Sequence, residues 1–390
     1  MPATFDNIAA AAAWYDAWLA EAALPLWASA GVDSGRGLFQ EGLSVTGAPV
    51  EAPRRARAQA RQVFVFASAA TAGYGARWLA VAQTGYGRFV EAYRRPDGLF
   101  LRRAAADGAP LDDAADIYDQ AFALLAMAAL QAADPSAGDF AGDAARTLAG
   151  LQARRPPAGG FQETGAHPFQ ANCHMHLFES ALAWEAVGSA VGSAAGSAAG
   201  GADWAALSDE IAGLALDRFI DPATGALREF FDAGWRALEG EGGLVEPGHQ
   251  FEWAWLLERW GRARGDAAAL TAARRLFENG LKGVDAGRKV AVNALWDDFS
   301  VRDGSARLWP QTEHLKAAVV LGTEAQAVRA AEGLAQYLDT PARGAWRDKL
   351  QPDGSFVEEP SPATSLYHLI GAVLPLIGAG AGASAARAAP

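Results

Sequence analysis

The sequence contains almost no cysteine. One residue, Cys173, stands in a chain of 390, so no disulfide can form within it and the cysteine count gives no sign of an oxidising compartment. Basic charge is short as well: 33 Lys and Arg against 45 Asp and Glu leave a formal net charge of -12. Gripping a phosphate backbone takes clustered cations, so no nucleic-acid partner is expected. The one Arg-dense stretch, PRRARAQAR at 53–61, runs straight into VFVFASA and reads as a solvated first turn of a helix with one arginine left over. Long apolar runs are missing too. None reaches the roughly 18–20 uninterrupted residues of a membrane span, and Asp6, Asp16 and Glu21 interrupt the N-terminus where a signal segment needs a clean apolar core. Together these absences predict a soluble, cytoplasmic protein with no membrane partner.

Helix-forming residues and tryptophan are plentiful. Apolar positions return at three- and four-residue intervals among abundant Ala, Leu, Glu and Arg, which is the pattern of amphipathic helices. Twelve are predicted, at 5–30, 53–83, 85–95, 113–133, 137–154, 173–191, 202–218, 248–264, 266–281, 309–320, 323–338 and 362–378. Tight joins alternate with long loops rich in Gly, aromatics and charge, such as 31–53, 154–172 and 221–247; long loops inside a compact domain are usually functional. Twelve helices with elaborate loops gathered at one end suit six helical hairpins in a ring, an all-α (α/α)6 barrel over residues 1–378, with a pair of helical domains as the competing arrangement. The run GSAVGSAAGSAAGGAD at 188–203 reads as an expanded surface loop, and residues 379–390, with nothing to bury, as a disordered tail. Thirteen tryptophans are many for this length; most read as core, and aromatic rings also stack on the apolar faces of sugars.

Six histidines carry the titratable chemistry near neutrality. His174-Met-His176 invites a metal reading, but the surrounding pattern is helical and residues two apart on a helix point away from each other, so no metal is expected there. His176 and His249 each have a glutamate three residues on, Glu179 and Glu252, a helical spacing at which a carboxylate can orient an imidazole. Pro247 and Gly248 mark a helix start, which puts His249 in a first turn, where the positive end of the helix dipole disfavours an imidazolium; a neutral base is predicted. His368 lies among apolar neighbours in the last helix, where a core role competes with a functional one. Arg61 is the arginine nearest the apolar run and the one expected to point inward, where it needs an anionic or polar partner. Tyr118, Trp309 and Glu313 stand at two helix starts that mix polar and aromatic residues, and Tyr118 and Trp309 read as pocket-lining.

Six segments in order, AQARQVFVF (58–66), YDQAFALLA (118–126), NCHMHLFESALA (172–183), PGHQFEWAWLL (247–257), WPQTEHLKA (309–317) and the YH pair at 367–368, make the chain resemble the N-acylglucosamine 2-epimerase superfamily, which also holds cellobiose 2-epimerases and mannose isomerases. The resemblance spans nearly the whole chain. It implies an (α/α)6 barrel with the sugar in its central cleft, and catalytic histidines at His249 and His368. It also implies an active-site arginine at Arg61 and polar pocket positions at Asn172, His176 and Glu252, with Glu313 among the substrate-binding candidates. The implied chemistry is proton transfer at the sugar C2 through an enediolate, needing neither metal nor redox cofactor. An aldose–ketose isomerase of the D-mannose/D-fructose type is expected, with a 2-epimerase as the alternative. The expected partner is an unphosphorylated monosaccharide, because outside 53–61 no basic cluster stands near the motifs; a homodimer is the candidate assembly. Two other classes stay open: a glycoside hydrolase using Glu252 with Glu313 or Asp119, and a sugar-binding protein without catalysis.

Overall fold

The computed structural model describes residues 3–191, 201–238 and 240–388. Twelve helices run through them: α1 (residues 8–29), α2 (Ala56–Thr71), α3 (Arg77–Tyr93), α4 (Ile117–Ala133), α5 (Phe140–Gln152), α6 (Ala171–Val191), α7 (residues 201–219), α8 (Pro247–Arg264), α9 (Ala267–Lys282), α10 (Leu308–Leu321), α11 (residues 324–338) and α12 (Ser365–Ala388). The even-numbered helices pack successively, α2 on α4, α4 on α6, and so on round to α12 on α2, which closes an inner ring of six. The odd-numbered helices form the outer layer. This is the (α/α)6 barrel expected from the helix count, as one closed ring and not two helical domains.

Burial follows the layering. Along α8 the side chains from Pro247 to Leu257 are all buried, as an inner helix walled on both sides requires, whereas outer α9 buries only one stripe, Ala269, Ala273, Leu276, Phe277 and Gly280 among it. Helix boundaries differ from the sequence reading early in the chain and again at its end. The helix expected over 53–83 ends at Thr71, because Gly73 and Gly75 take φ of 89° and 123° and break it. Helix α3 then runs through Gly85, where a Cβ would stand 2.3 Å from the Phe39 ring, so the glycine serves close packing rather than a turn.

The last helix continues to Ala388, through residues 379–388 that read as a disordered tail. Alanine carries helix without needing burial, and Gly380 lies against Ala12 of α1. Within this helix Ser365–Ala383 is long and apolar enough to cross a membrane, yet half of that stretch is buried inside the barrel wall. The surface loop expected at 188–203 falls largely on 192–200, outside the described residues.

Short antiparallel strand pairs cover the N-terminal ends of the inner helices. Beneath them lies a sixfold repeat that holds each loop to the helix following it. Gln59 of α2 accepts from Phe39 N at 2.8 Å and donates to Phe39 O at 2.8 Å. Gln120 of α4 does the same to Phe100, Gln250 of α8 to Leu227 and Gln311 of α10 to Ala291. Ser361 plays this part before α12, on Trp346. On α6 the residue is His174, whose Nε2 accepts from Phe161 N at 2.9 Å. In all six loops the residue two positions before the clamped one has positive φ: Gly37, Gly98, Gly159, Gly225, Lys289 and Gly344. His174 is thereby a structural residue, its Nδ1 on Gln170 O at 2.8 Å, and shares no ligand site with His176.

Candidate active site

The N-terminal ends of the inner helices enclose a cavity of about 210 Å³, lined by Arg61, Tyr118, Asn172, His176, Glu246, His249, Glu252, Arg307, Trp309, Thr364, Ser365 and His368. Sites for drug-sized ligands run to about 300–1,000 Å³, so this one is scaled to a single small polar molecule. Every inner helix contributes, because each begins at this end with a polar or aromatic side chain in its first two turns.

Arg61 is buried, 4% exposed, without a carboxylate partner. One of its nitrogens donates to the Tyr118 hydroxyl at 2.7 Å and another to Thr364 O at 3.2 Å, while its Nε has no hydrogen-bond partner. The guanidinium carbon lies 3.9 Å from the Phe122 ring centre and 5.0 Å from that of Tyr367, so cation–π attraction replaces part of the lost hydration. Tyr118 is held in turn by Glu163, whose carboxylate accepts both Ile117 N and Tyr118 N at 2.9 Å at the start of α4.

The rest of the 53–61 cluster is not the solvated turn expected of it. Arg54 pairs with Asp33 at 2.7 Å, Arg57 with Asp119 at 2.7 Å, and Arg55 with Glu41. Asp119 is thereby taken up behind the cavity wall.

His249 and His368 are each held through Nδ1 by a carboxylate, at 2.9 Å from Glu229 and 2.8 Å from Glu313. The Trp309 ring contacts both imidazoles, with ring centres 5.0 and 5.9 Å away. Its seat exists because Gly248 has no side chain: a Cβ there would lie 2.4 Å from the indole. With Nδ1 occupied, Nε2 is the nitrogen left to each ring for chemistry.

Their charge states diverge. Burial works against an imidazolium at His249, but Glu229 and then Glu246, 3.5 Å away, outweigh it and raise the pKa to about 10. The neutral His249 predicted from the helix start is therefore corrected: two carboxylates overcome the dipole of one helix turn. His368 moves the other way, held well below the usual histidine range by burial and by the Arg61 guanidinium. Glu252 does not hold His249 as its i,i+3 spacing suggested.

Below the histidines lies a buried acidic layer. His176 Nδ1 is 3.5 Å from Glu179 and 3.7 Å from Glu252, and burial pushes its pKa down to about 3. Glu179 stays ionised despite burial, held down to about 2 by His176 and Lys316, and it accepts a hydrogen bond from the Tyr367 hydroxyl. Glu252 is 1% exposed and neither of its oxygens has a hydrogen-bond partner; burial and the neighbouring Glu313 push its carboxyl well up. Among the described residues, ligand atoms of His176, Glu179 and Glu252, and of Glu252, Glu313 and His368, lie within 4.8 Å of one another, close enough to hold a cation.

The cavity thus brings together Arg61, Tyr118, Asn172, His176, His249, Glu252, Trp309 and His368 as the sequence suggested. Glu313 is the exception: it lies behind His368, its second oxygen accepting from Trp255 Nε1 at 3.1 Å, and is not part of the lining. Glu246, Arg307, Thr364 and Ser365 line the cavity without having been singled out, though Glu246 stands three residues before His249, the same spacing that drew notice to Glu252. Glu229 was missed because nothing local marks it; only the repeat of the clamped loops, two residues after Leu227, places it.

Comparison with known proteins shows the family and the fold. The family model of N-acylglucosamine 2-epimerase (GlcNAc 2-epimerase) matches residues 37–372. A protein of Rhizobium meliloti (strain 1021) named mannose-6-phosphate isomerase is 47% identical over 375 residues, covering 92% of this chain and 95% of that protein. The fold is shared with cellobiose 2-epimerase from Spirochaeta thermophila DSM 6192, at a TM-score of 0.83 and 20% identity over 96% of this chain and 97% of that one. It is shared equally with a D-mannose isomerase, at 0.80 and 18% over 94% and 97%. With the family model spanning the barrel and a relative at this identity, the chain belongs to the N-acylglucosamine 2-epimerase family of sugar epimerases and isomerases.

Proposed function

We propose that the protein is an aldose–ketose isomerase acting on a free monosaccharide, with D-mannose and D-fructose as its type pair, and that His249 and His368 are its acid/base pair. The observation that carries this reading is the pair itself: two histidines lining one small cavity, each with a carboxylate on Nδ1 and both against Trp309. Groups whose surroundings push their pKa values apart divide the labour of acid and base between them.

In the open-chain aldose, neutral His368 takes the C2 proton while the His249 imidazolium gives its Nε2 proton to the C1 carbonyl oxygen, forming the enediol. The O2 proton then returns to His249, and His368 delivers its proton to C1, leaving C2 as the ketone. Arg61 supplies positive charge to the oxygen that becomes anionic along this path. Trp309 and Tyr118 offer apolar faces to the sugar and keep water out.

A free sugar suits the charge at the rim. The arginines there are largely spoken for: Arg54, Arg57 and Arg102 pair with Asp33, Asp119 and Asp116. Arg307 is the looser one, 3.8 Å from Asp348, and is the group a sugar phosphate would have to use. The 2-epimerase reading keeps a specific support, since the second histidine could return the proton to C2 from the other face. NMR of aldoses in D2O decides among these: mannose, glucose, N-acetylglucosamine, cellobiose and mannose-6-phosphate. The expected result is conversion of mannose to fructose with deuterium entering at C1. C2 epimers without ketose would make it an epimerase, and turnover of mannose-6-phosphate alone would overturn the free-sugar assignment.

A further inference from the structure

His249 and His368 are held at nearly equal distances by carboxylates that differ in what else they touch. Glu313 is shared: it takes Trp255 Nε1 on its second oxygen and faces Glu179 and Lys316. Glu229 gives itself to His249 alone. Its other oxygen, Oε1, is buried without a hydrogen-bond partner, and the residue is 2% exposed. It comes from outside α8, twenty residues before His249, on the loop whose Leu227 is clamped by Gln250. Its own backbone oxygen accepts from Ala171 N at 3.0 Å, beside Asn172 of the cavity wall. The backbone that carries the carboxylate is therefore held from two inner helices at once.

We propose that Glu229 is the positioning residue that makes His249 the proton donor of the pair, by accepting its Nδ1–H and balancing the charge of the imidazolium whose Nε2–H meets the sugar oxygen. The proposal rests on the reading of the two histidines as acid and base. The other charged or titratable groups around the ring are Glu246 and Glu252 on its own helix and, lining the same cavity, Arg61, Tyr118, His176, Arg307 and His368. Among the described residues Glu229 is the carboxylate nearest the imidazole, at 2.9 Å, with Glu246 at 3.5 Å. Replacing Glu229 by the isosteric amide keeps the shape and removes the charge, so His249 should give up its second proton at a lower pH while the pocket stays the same size.

The test is the titration of His249 in full-length protein labelled with ¹⁵N-histidine, wild type against Glu229→Gln, with the pH profile of kcat/KM for the best sugar alongside. The wild-type ring should stay doubly protonated to about pH 9, and the variant should titrate about 2 pH units lower, with the basic limb of the profile moving by the same amount and the acidic limb unmoved. Glu229→Asp, which keeps the charge, should restore part of the shift, and it serves as the readout if Glu229→Gln fails to fold. An unshifted His249 in an active Glu229→Gln enzyme would overturn the role of Glu229 alone. A shifted titration in a protein that exchanges no sugar proton would remove the proton-donor role together with the proposed function.

Discussion

Glu313 Oε1 stands 2.8 Å from Nδ1 of His368, one inner helix away. The bond fixes which nitrogen of His368 is free, so the base role proposed for it depends on a residue that lies behind it. His368→Ala and His249→Ala should each lower turnover by about 10²–10⁴-fold, the usual span of general acid–base catalysis, with thermal melts close to wild type. The double variant should be little worse than either single one, since groups acting as a unit are not additive. Turnover near wild type in His368→Ala would make that residue an ordinary core histidine.

Arg61 separates charge from shape. Lysine keeps the charge but cannot reach both the Tyr118 hydroxyl and Thr364 O with a planar fork. Arg61→Lys should therefore lower kcat much more than it raises KM, because stabilisation of the enediolate is made only along the reaction path. Unchanged kcat would take arginine out of the mechanism.

Gly248→Ala places a methyl 2.4 Å from the Trp309 indole and 3.1 Å from Pro310. Overpacking of this kind costs about 1–3 kcal/mol, and the displaced indole should disturb both imidazoles it touches. The expected outcome is a lower melting temperature with a larger loss in kcat than the melt alone explains; full activity would show that Trp309 can move without consequence.

Acid sensitivity should trace in part to one clamp. His174 accepts from Phe161 N only while Nε2 is unprotonated, and burial lowers its pKa from 6.5 to about 4. Above pH 6.5 the residue is neutral folded and unfolded alike. As pH falls from 6.5 towards 4 the unfolded chain binds the proton first and stability is lost, by about 3 kcal/mol at most. His174→Gln, the residue used at four of the six clamps, should leave the melt at pH 8 nearly unchanged and flatten its fall below pH 6.5. His176 and His314, lowered to about 3 and about 4, keep their own share. An identical acid decline in the variant would assign it elsewhere.

Metal should inhibit and not activate. A cation bridging Glu252, Glu313 and His368 would compete for the imidazole nitrogen of His368 and for the Glu313 carboxylate that holds it. Activity should survive exhaustive chelation, and added Zn²⁺ should lower it; loss on chelation with recovery on metal addition would reverse the assignment.

The barrel was legible because its evidence is periodic: twelve apolar stripes and alternating loop lengths suffice to specify hairpins in a ring. That His249 and Arg61 face the cavity was legible from a helix start and from an arginine beside an apolar run, whereas His368 in its apolar stretch was singled out only by the resemblance. Charge states were not. The sign of the shift at His249 depends on Glu229, twenty residues away and brought in by a loop, and a helix-start argument sees only the local dipole. The fate of Arg57 was hidden for the same reason, since its partners Asp116 and Asp119 come from the next inner helix.

The bonds from Arg61 to Thr364 O and from Gln62 to Ala363 O join positions 303 and 301 residues apart. They close the ring between α2 and α12, and contacts of such separation form late because the intervening chain must first be ordered. Arg61 and His368 sit on the two lips of that seam. A partly folded barrel with five inner helices in place would thus lack the centre proposed here, and the gain of sugar turnover during refolding should serve as a clock for the final act of closure itself.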